Sequence, residues 1–147
     1  MAESVLIANL AGERVAFRAA DVTTVVELDA ITPVPRAPSH VSGIGALRSR
    51  GLVVIDCAAA LEGKQARGDV SGCQGVVIAI EGHAYALLVD EVHDVMEILD
   101  GPTPLTVKLP GHWKAACEGK IEIDGESVML LDPEMVIAGP DELSVVA

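Results

Sequence analysis

A chain of 147 residues with a formal charge of −12 is poorly suited to nucleic acid, because basic side chains supply most of the affinity for a phosphate backbone. Its 22 acidic residues outnumber 10 Lys and Arg, and one Phe, one Tyr and one Trp leave little aromatic surface for stacking on bases. The same charge disfavours an anionic membrane surface, and apolar runs of about six residues are too short for membrane insertion. Half of the residues are hydrophobic, which indicates a globular, soluble protein of one domain by length.

The predicted elements are almost all strands, because short runs rich in Val and Ile alternate with turn residues. In chain order the four predicted hairpins are Ser4–Leu10 with Arg14–Arg18, Val41–Leu47 with Leu52–Asp56, Val76–Ile80 with Ala84–Val89, and Lys120–Ile123 with Glu126–Leu131. Only two helices are predicted, at Cys57–Leu61 and Asp132–Ile137, where Asp132 suits the N-cap and Pro133 the first helical position. The stretches 63–75 and 99–110 are predicted loops, and the residues after Gly139 a frayed tail.

The sequence also repeats itself once. Shifted by 70 positions, the first hairpin and the segment after it fall on the third hairpin, so that Glu27 meets Glu97. Shifted by 76 positions, the second hairpin falls on the fourth, so that Asp56 meets Asp132. The matched glycines are Gly12 with Gly82 and Gly43 with Gly119.

Matches of Gly and Asp reflect backbone and capping requirements rather than general hydrophobicity, so they indicate a duplication. Strands this short usually close into barrels to remove their edges. We therefore predict a single domain over residues 1–147, made of two intimately packed barrels with strands at roughly 4–62 and 75–138.

No set of residues typical of a catalytic or metal site stands out. Cys57 beside Asp56 suggests an activated thiol, but the match of Asp56 with Asp132 indicates that both acids cap a helix. The three cysteines are odd in number and widely spaced, which favours free thiols. The histidines, which lack metal-ligand spacing and are expected at the surface or in loops, are His40, His83, His93 and His112. The acids at positions 90, 91 and 94 are expected to form a solvated rim, and no enzyme activity, cofactor or metal is predicted.

Arg48-Ser49-Arg50 is the sequence feature that most suggests binding, because it places two guanidinium groups in one hairpin turn of an acidic chain. These residues are either ordinary solvated loop arginines or a recognition point. The second interpretation rests on two properties of Arg, which binds a carboxylate through two parallel hydrogen bonds and is enriched at binding hot spots; the sequence leaves both interpretations open.

Several segments match a known pattern when their order and spacing are taken together. They are 22–35 (VTTVVELDAITPVP), 38–47 (PSHVSGIGAL) followed by Arg48, 52–56 (LVVID), 75–98 (GVVIAIEGHAYALLVDEVHDVMEI) and 119–132. Through these segments the chain resembles the CheW family, the coupling proteins of bacterial chemotaxis, over nearly its whole length. The resemblance implies an all-β fold of two packed five-stranded SH3-like barrels, with short helices after Asp56 and Asp132. It also implies a non-enzymatic adaptor in the cytoplasm, recruited to receptor clusters at the inner face of the membrane.

The partners that the resemblance implies are the regulatory domain of the histidine kinase CheA, itself CheW-like, and the cytoplasmic tips of methyl-accepting chemotaxis receptors. In the family, the helical hairpin of the receptor enters a groove between the barrels. By matching position, the implied groove residues are Val22, Val25, Gly43, Ile44, Leu47, Val89 and Val92. Glu27, Arg48 and Arg50 complete the predicted partner-binding set.

The chain departs from the family pattern around Arg48. The family's Asn-Leu-Arg-Gly signature is here Ala46-Leu47-Arg48-Ser49, and the acid expected two residues after Val22 is Thr24. Either Glu27 compensates for that missing acid, or Arg48 is free to bind a partner. The alternative function is therefore a diverged adaptor for another signalling assembly, with altered kinase or receptor binding. A small-ligand sensor is less favoured, because no converging set of polar residues is evident.

Overall fold

The computed structural model describes residues 3–47, 50–104, 109 and 111–139. Its strands are β1 (Glu3–Leu10), β2 (Glu13–Arg18), β3 (Val22–Glu27), β4 (Val41–Leu47), β5 (Arg50–Asp56), β6 (Gln74–Ile80), β7 (His83–Val89), β8 (Glu91–Ile98), β9 (Cys117–Ile123) and β10 (Glu126–Leu131). The helices are α1 (Cys57–Glu62), α2 (Trp113–Ala116) and α3 (Pro133–Ala138), with a 3-10 turn at Ala19–Asp21. The predicted all-β class is confirmed, whereas α2 and the 3-10 turn were not predicted.

Within this part of the chain, the strands form two five-stranded barrels. One has the strand order β3-β6-β7-β5-β4 and is called the β4 barrel; the other has the order β8-β1-β2-β10-β9 and is called the β9 barrel. In each barrel the segment that follows the first edge strand bridges to the last one, from Thr32 to Ile44 and from Thr103 to Lys120. These bridges help to close the sheet, which protects strand edges that would otherwise be open to other chains.

The two barrels do not correspond to the two halves of the sequence. The β1–β2 hairpin lies in the β9 barrel between β8 and β10, and the β6–β7 hairpin lies in the β4 barrel between β3 and β5. The expected assignment of the strands in 4–62 to one barrel and those in 75–138 to the other is therefore corrected: each copy donates its first hairpin to the other. A hairpin forms locally, but its other neighbours are chosen by long-range packing, which a sequence repeat does not reveal.

The duplication itself is visible in the register of the strands. Glu27 on β3 lies opposite Gln74 on β6, and Glu97 on β8 lies opposite Ser4 on β1. Glu97 lies 70 positions after Glu27, and Gln74 lies 70 positions after Ser4, so the two pairs are equivalent, as the repeat predicts. The two barrels are thus related by approximate two-fold symmetry, with the two copies of the repeat in exchanged positions. Residues at equivalent positions in the two copies can therefore be compared directly.

Gly43 and Gly119 show why both copies kept a glycine at the start of β4 and β9. A Cβ atom at Gly43 would lie 2.6 Å from the carbonyl oxygen of Thr32, and one at Gly119 would lie 2.6 Å from that of Thr103. Thr32 and Thr103 are the residues that bridge the barrel edges. The close approach that closes each barrel therefore requires a residue without a side chain.

The core consists of three apolar clusters. One fills the β4 barrel and includes Leu52, Val54 and Leu88; a second fills the β9 barrel and includes Ile98, Ile121 and Leu130. The third lies between the barrels and is formed by residues such as Phe17, Leu61, Leu87, Trp113 and Leu131. Burying each of these large side chains is worth about 1.5–3 kcal/mol, so the third cluster fastens the barrels together.

Both predicted helix caps are present. An Oδ1 atom of Asp56 accepts a hydrogen bond from the Ala59 N–H at 3.1 Å, and that of Asp132 accepts one from the Glu134 N–H at 3.0 Å. These contacts satisfy amides that have no partner within the first helical turn.

The histidines differ from one another in burial. His83 and His93 are exposed, but His40 and His112, which lie in turns as expected, are only 1% and 5% exposed. Their Nε2 atoms lie 2.7 Å from the Ile137 carbonyl oxygen and 2.8 Å from that of Met135. Both carbonyls belong to α3, and that of Met135 also accepts a hydrogen bond from the Gly139 N–H. The two histidines thus lie in turns, as expected, but their rings are buried against α3 rather than exposed at the surface.

Candidate partner-binding surfaces

The predicted partner-binding residues lie at two separate places in the fold. Around the edge strands β3 and β8 lie Val22, Val25, Glu27, Val89 and Val92. On the β4–β5 hairpin lie Gly43, Ile44, Leu47 and Arg50. Arg48 lies outside the described residues, as does the predicted tail after Gly139. The two groups lie on different strands and are treated as two surfaces, while the bridge from Thr32 to Ile44 brings the β3 and β4 edges of the closed barrel together.

The first surface is formed by the outer faces of two edge strands, and we call it the β3–β8 surface. It consists of Val22, Val25 and Glu27 on β3 and of Val92, Val95 and Glu97 on β8. Each of the four valines pairs across the sheet with a residue of the cluster between the barrels; these partners are Ile78, Val76, Ala8 and Leu6. Because paired residues point to the same side of a sheet, the valines face out of their own barrels. Val22, Val25 and Val92 are half-buried against that cluster, whereas Val95 is 57% exposed.

Gln74 connects the two strands of this surface. It lies opposite Glu27 on one side and Val89 on the other, and its Oε1 atom accepts a hydrogen bond from the Val92 N–H at 2.7 Å. Val89 is only 3% exposed, so it supports the surface from beneath rather than offering a contact. Sequence reasoning missed Gln74, for which no signal existed. It also missed Val95, although the repeat matches that residue with Val25.

The second surface, called the β4 surface, consists of Ile44, Ala46 and Arg50 together with Val34, while the predicted contact Gly43 on the same strand is buried. Ile44 is 41% exposed and Val34 38%, which is unusual for large apolar side chains in this protein. Ala46 and Arg50 are also exposed, and Arg50 forms no ion pair with another described residue. The surface is therefore apolar with an available cation.

The equivalent strand β9 shows what β4 lacks. At the positions of Ser42, Ile44 and Ala46, the second copy has Glu118, Lys120 and Glu122. Charged side chains on an edge strand protect it from pairing or packing with other chains. β9 has this protection and β4 does not, which leaves the uncharged Ile44 and Ala46 exposed on β4.

The described residues also bear on enzymatic alternatives. The pKa of the Cys57 thiol is raised by burial and then by the neighbouring Asp56 carboxylate, so the thiol stays protonated and unreactive. In the described ranges, no three His, Cys, Asp or Glu side chains are placed to hold a metal ion. A groove of about 530 Å³ between β3, β6 and α3 contains Arg18, but that side chain is already paired with Glu3 and Glu118. No helix in the same ranges has the length and apolar character needed to cross a membrane.

Comparison with known proteins agrees with the fold. The chemotaxis protein CheW of Rhizobium meliloti (strain 1021) is 27% identical over 140 residues, which cover 88% of this chain and 90% of that protein. The crystal structure of the scaffolding protein TtCheW from Thermoanaerobacter tengcongensis matches with a TM-score of 0.75 and 27% identity, covering 90% of each chain. A family model described as a CheW-like domain matches residues 4–140. Because that match spans nearly the whole chain, the protein belongs to the CheW-like domain family.

Proposed function

We propose that this protein is a non-enzymatic scaffold that couples chemoreceptors to the chemotaxis histidine kinase CheA. The observation that carries the proposal is the match of nearly the whole chain to the CheW-like domain family. The two similar proteins are a chemotaxis protein and a scaffolding protein. The two-barrel fold and the inert Cys57 thiol are consistent with binding rather than catalysis. The protein would act in the cytoplasm, at receptor clusters on the inner face of the membrane.

An adaptor must hold two partners at once, so it needs two surfaces. The β3–β8 surface, with its four valines, suits an apolar helix of a receptor tip. The β4 surface suits the CheW-like regulatory domain of the kinase, because it offers an exposed Ile and, on the same hairpin, an Arg, a residue type enriched at protein interfaces. Arg48 and Arg50 would then bind carboxylates of the kinase.

Direct binding measurements with purified kinase regulatory domain and a receptor-tip fragment test the proposal. We expect each to bind with a dissociation constant at or below roughly 50 µM, and a ternary complex to form when both are present. Arg48→Glu should weaken kinase binding, and Val95→Asp, at a position that is 57% exposed, should weaken receptor binding, with the thermal transition of both variants unchanged. The absence of binding to either partner at that concentration would refute the proposal.

A diverged adaptor for another signalling assembly is the second candidate, favoured by the sequence Ala46-Leu47-Arg48-Ser49 in place of the family signature and by Thr24. Affinity capture from the native host, followed by identification of the captured proteins, separates the two. Recovery of a chemotaxis kinase and a chemoreceptor supports the first function. Recovery of a different kinase, with no affinity for the chemotaxis partners, supports the second.

A further inference from the structure

The β3–β8 surface carries the same set of side chains twice. On each strand two valines are followed by a glutamate, at positions that the 70-residue offset makes equivalent. The residues are Val22, Val25 and Glu27 on β3, and Val92, Val95 and Glu97 on β8. A partner that covers this surface therefore meets an apolar centre and two carboxylates.

The two carboxylates lie at opposite ends of the surface. Glu27 is the last residue of β3, and its neighbour Gln74 binds the Val92 N–H, so the end of β3 lies beside the start of β8. At the other end of the surface, β1 pairs with β8 and places Ser4 opposite Glu97. β1 also contacts the 3-10 turn that precedes β3. The approximate two-fold relation between the barrels thus places Glu97 towards the start of β3.

Neither carboxylate is neutralised within the described part of the protein. Glu27 and Glu97 are both exposed, and neither forms an ion pair with another described residue. In contrast, Arg18 is held between Glu3 and Glu118 in the β9 barrel. Covering an unpaired carboxylate with an apolar partner costs free energy, because the charge loses water and gains nothing in return. A partner with a cation at each end of its apolar stripe removes that cost.

We propose that the β3–β8 surface selects receptor helices whose apolar stripe covers the four valines and is flanked at both ends by Lys or Arg. This inference rests on the proposed function, since a receptor tip is the occupant, and it adds a rule for which tips bind. Complementary charge at both ends also fixes the position of the helix along the surface, which an apolar stripe alone does not do.

Charge reversal on both sides tests the rule. The probe is a receptor-tip fragment with Lys or Arg at both ends of its stripe, together with a version in which those residues are Glu. For the basic fragment, Glu27→Lys and Glu97→Lys should each weaken binding about three- to tenfold at low salt, and the double variant more. The loss should shrink as salt is raised to about 1 M, where the Debye length is about 3 Å. The acidic fragment should show the reverse order, binding the double variant more tightly than the natural protein.

Glu13→Lys and Glu81→Lys are the matched controls, because they make the same change in net charge at exposed positions outside this surface, in the hairpins that pair with β8 and β3. They should change affinity by less than about twofold. If the controls weaken binding as much as Glu27→Lys and Glu97→Lys do, the carboxylates have no specific role and the inference is wrong. If Val95→Asp abolishes binding while both glutamate variants bind normally, the proposed function stands and only the charge rule fails. If the natural protein binds no tip at all, the proposed function itself fails.

Discussion

Asp56 and its equivalent Asp132 should differ in importance although both cap a helix. Replacing either with Ala removes an N-cap, which costs about 1 kcal/mol. Asp56, whose side chain is only 6% exposed, also accepts hydrogen bonds from the backbone N–H of Arg67 at 3.0 Å and from its Nε–H at 3.3 Å. A hydrogen bond to a charged acceptor is worth about 1.5–3 kcal/mol. The Arg67 side chain is 41% exposed, so solvent screens the ion pair, which adds only about 0.5 kcal/mol.

Asp56→Ala should therefore lower the free energy of unfolding by about 3 kcal/mol, against about 1 kcal/mol for Asp132→Ala. The physical reason is the loop between α1 and β6, which Asp56 holds at Arg67 and which inserts Val70, 1% exposed, into the core of the β4 barrel. Urea unfolding of the two variants measures the difference. Arg67→Ala keeps the backbone N–H and should cost less than about 1 kcal/mol. Equal losses for Asp56→Ala and Asp132→Ala would refute the reasoning, because the Arg67 contacts would then contribute nothing.

Three further predictions concern the closing bridges, the buried thiol and the β4 surface. Gly43→Ala and Gly119→Ala should each lower the free energy of unfolding, measured with urea, by about 2 kcal/mol or more. Gly51 has open space around it, so Gly51→Ala should not have this effect. Equal effects of the three substitutions would contradict the steric argument. Because burial raises the pKa of Cys57, the folded protein keeps that proton above pH 9.0 while the unfolded chain loses it, so stability should fall as the pH rises above 9.0. Cys57→Ala should show a shallower fall in pH-dependent unfolding, and an unchanged slope would be contrary to expectation. Ile44→Lys, which copies Lys120 of β9, should weaken kinase binding about tenfold in a titration while changing stability by less than about 0.5 kcal/mol; full affinity would exclude Ile44 from the interface.

Local chemistry made much of the fold predictable from the sequence. Two-residue turns such as Asp124-Gly125, in which both residues have positive φ, specify hairpins without help from the rest of the chain. Asp132 followed by Pro133 likewise predicts a helix start, and the structure has one there. What local chemistry does not determine is which barrel each hairpin joins. The parallel pairing of β5 with β7 and of β2 with β10 depends on packing between distant segments.

The same distinction explains the outcome for individual residues. His40 was expected at the surface or in a loop, and it lies in a turn. Its burial could not be predicted, because the Ile137 carbonyl oxygen that its Nε2 atom contacts lies 97 positions away in the sequence. Val89 was predicted as a contact by family position, but it is buried beneath the surface that it was expected to form. Val22, Val25 and Val92 pack against the same cluster between the barrels because the repeat gives each barrel an equivalent edge strand there. Their role in binding a partner stays a prediction.

An internal duplication provides a comparison that a single sequence otherwise lacks. Both copies had to keep what the fold requires, and they did so at Gly43 and Gly119, where a side chain would collide with a carbonyl. Where the copies differ at equivalent exposed positions, the fold does not explain the choice. β9 has the charged residues that protect an edge, whereas Ile44 and its neighbours on β4 are uncharged. An exposed Ile is stabilised only when another surface covers it, so we propose that β4, unlike β9, contacts another protein.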